Sequence, residues 1–390
     1  MTDPETRIGA ALALLGRDVQ RVFGLCATCD EDYLADVART KRFLECLTYD
    51  PVFRQAFGED PERYGADLGI DPEALRPLWD ETCDPRGWSS PRLRRFQAYR
   101  VERRLRTASA AGAADPGADP AFAAWRRRQR DHLLATLGAD HLERVALHPF
   151  AFELQKGCSV GCWFCGVSAD RLTEVWPYDA ANAASWRQTL DVVRARTGSV
   201  PGQGFCYWAS DPLDNPDYEA FAETFRDIFG GYPQMTTAIA LRDPARTKRV
   251  LEAAFASRRE VHRFSILTLR MLRDVHRCFT PRDLLFVELA PLYPDSGRRL
   301  AHAGRARRRA SRATRPEGRE LATIACVAGF LINMVDRHVR LVAPCRASEQ
   351  WPDGFRVLGS GGFADAAELG PLLDRLIAGQ MACSTPQSKG

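Results

Sequence analysis

The sequence predicts an α/β protein with an all-helical N-terminal domain. Three observations carry this: repeated Asp-Pro helix starts up to about residue 147, an alternation of short β-rich runs with helix-length segments from Phe150 onward, and a composition 45% hydrophobic and 27% charged. That balance is typical of a globular chain and excludes a disordered or collagen-like one. At 390 residues the chain has room for two or three domains and a sizeable core.

In the first part, Asp50-Pro51, Asp60-Pro61, Asp71-Pro72 and Asp119-Pro120 each place an amide-capping carboxylate before a residue whose φ is already set for a helix. Gly58 and Gly138 stand where helix C-caps belong, and Leu34, Val37, Leu44 and Leu47 fall on one helical face. From Phe150 the expected strands are Phe150–Leu154, Gly204–Trp208, Met235–Ala240, His262–Leu267, Leu284–Leu289 and Val339–Val342. Helices are expected near 178–196, 216–229, 243–257 and 268–276. Such alternation predicts βαβ units around a parallel sheet, curled or closed, with ligands at the carboxyl ends of the strands. Thr323–Asn333 reads either as a strand pairing with Val339–Val342 or as a buried helix. The expected domains are residues 1–147 (helical), 148–360 (β/α) and 361–390 (a C-terminal helix and mobile tail).

No stretch approaches ~18 consecutive apolar residues, so no membrane span is expected. The N-terminus opens on acidic residues without a basic n-region, which predicts a cytoplasmic chain. The net charge of +4 is uneven. Arg92 to Arg106 carries seven arginines against one glutamate and reads as a solvated helix face. Arg298 to Arg319 carries nine against one and reads as an exposed loop. No aromatic interleaving accompanies them, so nucleic acid is not an expected partner.

Twelve cysteines in a reducing compartment point to metal or chemistry rather than disulfides. Directly after the first expected strand come Gly157-Cys158-Ser159-Val160-Gly161-Cys162-Trp163-Phe164-Cys165-Gly166. Three thiols spaced CxxxCxxC on a glycine-bracketed loop can ligate a [4Fe–4S] cluster and leave one iron open. A closed zinc site would want a fourth ligand nearby, and none follows. Cys26 and Cys29 form a distant CxxC of weak signal. Cys46, Cys83, Cys206 and Cys278 read as packed thiols, and the seven histidines show no ligand spacing.

With Cys158, Cys162, Cys165 and the aromatic Phe164 before the last of them, the chain resembles the radical S-adenosylmethionine (SAM) superfamily. The resemblance implies a partial (β/α)6 TIM-like barrel, a [4Fe–4S] cluster, SAM bound to the open iron, and an electron donor such as flavodoxin or ferredoxin. In that family a 5′-deoxyadenosyl radical from SAM abstracts an unactivated hydrogen. Carried over by position, Ser210 and Asp211 stand where the family contacts the SAM amino group, and Thr236, Thr237 and Ser265 where it contacts carboxylate and ribose. Asp211-Pro212 also reads as one more helix-start turn.

Four further stretches resemble the peptide epimerases that mature proteusin-type ribosomal peptides. They are Thr40–Leu44 with Asp50–Arg54, Tyr207–Tyr218 (YWASDPLDNPDY), Thr236–Asp243 (TTAIALRD) and Val342–Phe355 (VAPCRASEQWPDGF). The resemblance implies inversion of L-residues in a precursor peptide, with a C-terminal-region cysteine returning a hydrogen atom. Cys345, ending a strand-like run expected to face the cluster from the carboxyl rim, is the first choice, ahead of Cys383 and Cys326. A crosslinking or dehydrogenating enzyme, or a leader-binding partner with a vestigial cluster, are the alternatives. Phe43–Leu47, Asp50–Arg54 and Gly69–Leu75 resemble Nif11-type leader peptides, which implies that residues 30–80 help bind a precursor peptide's Nif11 or nitrile-hydratase-like leader; a plain helical cap over the barrel is the alternative.

Overall fold

The computed structural model describes residues 31–83, 90–100, 117–145, 147–199, 203–255, 262–293, 296, 301–310 and 322–381. Cys26, Cys29, Cys383 and about half of the two arginine-rich stretches (101–106, 298–300 and 311–319) lie outside them. Among the described residues the strands run β1 (His148–Glu153), β2 (Gln155–Lys156), β3 (Glu174–Val175), β4 (Thr236–Thr237), β5 (His262–Ile266), β6 (Val287–Pro291), β7 (Val327–Asn333), β8 (His338–Pro344) and β9 (Phe355–Gly362). Two compact units share them: residues 1–107 with 240–298, and residues 108–239 with 299–390. The division does not follow chain order, because the early helices share a unit with β5 and β6.

In the first unit, capping does what the Asp-Pro pairs predict. Asp50 accepts from the amides of Val52 and Phe53 at 3.0 Å each, opening helix Pro51–Glu59. Asp60 accepts from Arg63 at 3.2 Å. Gly58 is not a cap: the helix runs past it to Glu59 and ends at Asp60, whose non-helical backbone starts the next helix. Leu34, Val37, Leu44 and Leu47 of helix Glu31–Tyr49 are all buried, in one cluster with Phe43, Phe57, Leu285 and Phe286. Polar ties hold the same helix to later sequence. Arg42 donates to the carbonyls of His276 (2.9 Å) and Phe279 (2.7 Å), and Arg273 forks onto Asp50 at 2.7 and 2.9 Å. The Thr40–Leu44 and Asp50–Arg54 stretches are therefore a clamp on helix Leu269–Cys278. Strands β5 and β6 pair in parallel, Phe264 opposite Leu289.

The second unit is built on a four-stranded sheet of order β1-β7-β8-β9. Only β1 and β7 are parallel; β7, β8 and β9 are antiparallel, so the sheet is mixed rather than parallel. Thr323–Asn333 resolves as the strand alternative, β7, hairpinned to β8. One sheet face is dry and aromatic: Phe330 stacks on Phe122 at 5.1 Å, and Phe152 meets Trp186 edge-on at 4.6 Å. On the other face Ala151, Leu331 and Val342 pack with Phe205, Trp208 and Val167. The strand expected at Gly204–Trp208 shrinks to one parallel bridge, Ala151 to Phe205. That expected at Met235–Ala240 shrinks to β4. Strand β9 is absent from the strands the sequence predicts, and Gly359, Gly361 and Gly362 within it have poor strand propensity. Helix Ala366–Met381 follows it. The architecture is mixed α/β.

Candidate functional site

Strand β1 delivers the chain to the three-cysteine loop, and β2 pairing with β3 closes the loop at its base. Gly157 makes the closure possible: it sits at φ +83°, and a Cβ there would lie 2.1 Å from the carbonyl oxygen of Arg171. The Cys158 amide donates to Asp170 and the Cys158 carbonyl accepts from Leu172, at 2.9 and 3.3 Å. On the far side, Ser159 is held by Asp214, whose carboxylate accepts from its amide at 2.8 Å and its hydroxyl at 2.5 Å. The Cys165 amide donates to the Cys162 carbonyl at 3.3 Å, and the amide of Ala169 points at Cys165 Sγ at 3.4 Å.

All three thiols are half-buried. Burial, then the neighbouring Cys158 and Cys165, push the Cys162 thiol up to about 12, and burial together with Asp211 and Asp214 pushes Cys158 up to about 11. Both shifts oppose ionisation, so a bound cation would have to supply the positive charge that turns these thiols into thiolate ligands. Among the described residues, no group of three or more His, Cys, Asp and Glu side chains is arranged as a ready metal site. The donor set therefore fits an iron–sulfur cluster in chemistry, with three soft ligands on one anchored loop, while the side chains do not converge on a common point. Phe164 is half-buried, its ring edge-on to Trp163 at 5.3 Å.

A second polar group lies beside the loop in the same unit. Gln155 of β2 donates to the Asp211 carbonyl at 2.7 Å. The Asp211 carboxylate accepts from Thr237 Oγ1 (2.8 Å), the Ala238 amide (2.7 Å) and the Leu213 amide (3.2 Å). It thus caps the turn Pro212–Asp214, and both oxygens already have protein partners. Burial outweighs those bonds and pushes its pKa up to about 6. Ser210 is different: its hydroxyl oxygen is buried and has no hydrogen-bond partner among the described residues. Tyr207 donates toward Gln234 Oε1 and Thr236 Oγ1, 2.7 Å from each. Ser210, Asp211, Thr236 and Thr237 are thus gathered next to the cysteine loop through Asp214. Ser265 is half-buried on β5, in the other unit.

Cys345 is not on the carboxyl rim of β1. The β7–β8 hairpin reverses the chain, and the pairings His148 to Val327 and Gly329 to Val342 put the end of β8 level with the start of β1. Its amide donates to the Gly354 carbonyl at 2.9 Å. The preceding residue, Asp353, accepts from Ser168 Oγ of the cysteine loop at 2.6 Å, so the turn that holds Cys345 also holds the loop. Burial pushes the Cys345 thiol up. Cys326 packs with Ala151 and Phe205, and its carbonyl accepts from the His148 amide at 2.7 Å. The arginine-rich stretch is corrected in part: residues 304–310 form a helix bonded to the cysteine loop rather than an exposed loop. Asp214, Arg305 and Asp353 escape sequence reasoning, since nothing local marks them as partners of residues far away in the chain.

No family model matches the chain. It is 36% identical over 361 residues to the uncharacterized protein y4wI of Sinorhizobium fredii, covering 87% of this chain and 70% of that protein. The chain belongs to the y4wI family. Among solved structures, the crystal structure of BtrN in complex with AdoMet and 2-DOIA is similar at 13% identity and a TM-score of 0.38, covering 60% of this chain and 85% of that one. No described helix of this y4wI-family chain is long and apolar enough to cross a membrane.

Proposed function

We propose that the protein is a radical SAM enzyme acting on a ribosomally made precursor peptide, inverting L-residues to D-residues. The observation that carries the reading is the CxxxCxxC loop, Cys158, Cys162 and Cys165, sitting directly after β1 on an anchored hairpin. The reading brings with it a partial (β/α)6 barrel and a reducing partner such as flavodoxin or ferredoxin. When bound, a [4Fe–4S] cluster with SAM supplies the electron that opens the sulfonium and so a radical able to take a hydrogen from an unactivated carbon.

The chain's own residues divide the remaining work. Cys158, Cys162 and Cys165 hold the cluster as thiolates. The unpartnered Ser210 hydroxyl offers a buried polar atom for the amino-acid end of SAM, with Thr237 and Asp211 beside it. Asp211, already holding three hydrogen bonds, acts there as the brace that fixes the turn rather than as a free acceptor. Cys345 returns a hydrogen atom and is left as a thiyl radical, which one electron from the reducing partner and one proton restore to the thiol. Burial keeps its thiol protonated at neutral pH, and a hydrogen-atom donor must carry its hydrogen.

After anaerobic reconstitution with iron and sulfide, reduction in the presence of SAM releases 5′-deoxyadenosine, read by mass spectrometry. With precursor peptide in deuterium oxide, one deuterium enters per inverted residue. Cys345→Ala keeps 5′-deoxyadenosine release and loses D-residues. A wild-type protein that loads a cluster and yields no 5′-deoxyadenosine overturns the reading. A product that is crosslinked or desaturated without deuterium moves it to the oxidising alternative.

A further inference from the structure

We propose that Arg305 is the positioning residue of the cysteine loop, the tooth of a latch formed by helix Gly304–Ala310 that fixes the loop's last two thiols and places a permanent positive charge beside them. The inference rests on the reading of the loop as a cluster site. Arg305 grips the loop twice: its amide donates to the Cys165 carbonyl at 2.9 Å and its guanidinium Nη1 to the Cys162 carbonyl at 2.9 Å. Those carbonyls belong to two of the three proposed ligands, so one residue sets the spacing of the Cys162–Cys165 turn.

The grip depends on close approach. Gly304 sits at φ +58°, and a Cβ there would lie 2.4 Å from the Cys165 carbonyl oxygen and 2.6 Å from the Gly166 carbonyl carbon. Only glycine allows the backbones so near. The latch is bracketed by further bonds as well. The Gly304 amide donates to the Pro352 carbonyl at 2.8 Å. Arg308 Nη2 donates to Ser168 Oγ at 2.7 Å, and Ser168 Oγ in turn donates to Asp353 at 2.6 Å. Ser168 itself has φ +52°, a conformation that a non-glycine residue holds when its surroundings fix it. Cys165, Cys162 and Ser168 are thus all tied to one seven-residue helix.

A guanidinium stays charged at any working pH. One carbonyl away from a ligand, it favours the form of a bound cluster that carries the extra electron, as outer-shell charge and hydrogen bonding do at such centres.

The test compares Arg305→Ala, Arg305→Lys and, as a control on the same helix, Arg307→Ala. In the cluster-free proteins, alkylation of individual thiols by iodoacetamide is followed by mass spectrometry. Arg305→Ala loses the guanidinium bond to Cys162 and keeps the backbone bond to Cys165, so it is expected to speed alkylation of Cys162 at least about fivefold, to change Cys165 less, and to leave Cys345 unchanged. After anaerobic reconstitution, iron content and an EPR-monitored redox titration are read. Loss of the charge is expected to shift the reduction equilibrium about tenfold toward the oxidised form, roughly 59 mV for one electron. Arg305→Lys is expected to keep the potential near wild type while loosening the turn, and it serves if Arg305→Ala does not fold. Equal alkylation rates, or a wild-type potential in Arg305→Ala, overturn the inference. Faster alkylation in a protein whose wild type never takes up iron keeps the latch and removes the cluster reading instead.

Discussion

Asp211→Asn isolates the energetic consequence of burying a carboxylate that has only neutral hydrogen-bond donors. The side chain is 3% exposed, and burial, working against bonds from Ala238, Thr237 and Leu213, raises its pKa from 3.8 to about 6. In the unfolded chain the carboxyl ionises first, so between those two pH values the folded state holds the extra proton and stability falls as pH rises. A shift of roughly two units corresponds to about 3 kcal/mol. Asparagine keeps the size but does not ionise, and its NH2 faces the Ala238 amide donor, adding a pH-independent cost of about 1–3 kcal/mol. Urea unfolding of both proteins, followed by tryptophan fluorescence at several pH values, reads the difference directly. The advantage of wild type over Asp211→Asn is expected to shrink by about 2 kcal/mol from about pH 4 to about pH 7. A difference that stays constant over that range refutes the argument, and would mean that a nearby charge or water satisfies the carboxylate.

Other expectations concern the first unit and the loop. Phe43→Ala, at a fully buried ring 4.9 Å from Phe57, is expected to cost about 3–5 kcal/mol in chemical denaturation. Asp50→Ala removes two amide-capping bonds and the fork from Arg273, a loss of about 1–3 kcal/mol, with a lower thermal midpoint as readout. Burial opposes the charge on Glu45, yet Lys41 and His276 hold its pKa down at about 2 from 4.5. Its contribution is therefore complete above 4.5 and is lost as pH falls toward 2, so Glu45→Gln should flatten acid unfolding in that window; an unaltered acid transition would exclude it. Asp214→Ala frees Ser159 and should raise the alkylation rate of Cys158 with little effect on overall stability.

Local chemistry was legible where the cause is local. Asp before Pro marks a capped helix whatever lies around it, and Asp50, Asp60 and Asp119 all cap. The four helices of the β/α part begin and end within a few residues of expectation. The three-cysteine loop is on the end of the first strand, as its glycines suggested. What failed depends on strand direction and on partners far along the chain. Cys345 ends a strand as expected, but a hairpin turn at Arg337 inverts that strand relative to β1. A short apolar run carries no sign of its polarity. Strand β9 exists because β8 offers it a hydrogen-bonding edge, which outweighs the poor propensity of its glycines. The anchors of the cysteine loop sit 55, 143 and 185 residues from what they hold. No window of sequence contains both halves of such a bond.

The two-residue ladder between β2 and β3 has a thermodynamic consequence of its own. It pinches residues 157–173 into a closed ring before any metal arrives. Bringing the ends of a free segment of roughly 17 residues together costs on the order of 2.5 kcal/mol of chain entropy. Here folding has already met that cost, helped by the carbonyls of Leu154 and Trp176, which both accept from the single amide of Asn215. Iron uptake then has only side-chain rotamers and a short inner turn left to order. A folded apoprotein that gains little secondary structure on loading, unlike a zinc finger that folds around its ion, is what such a ring implies.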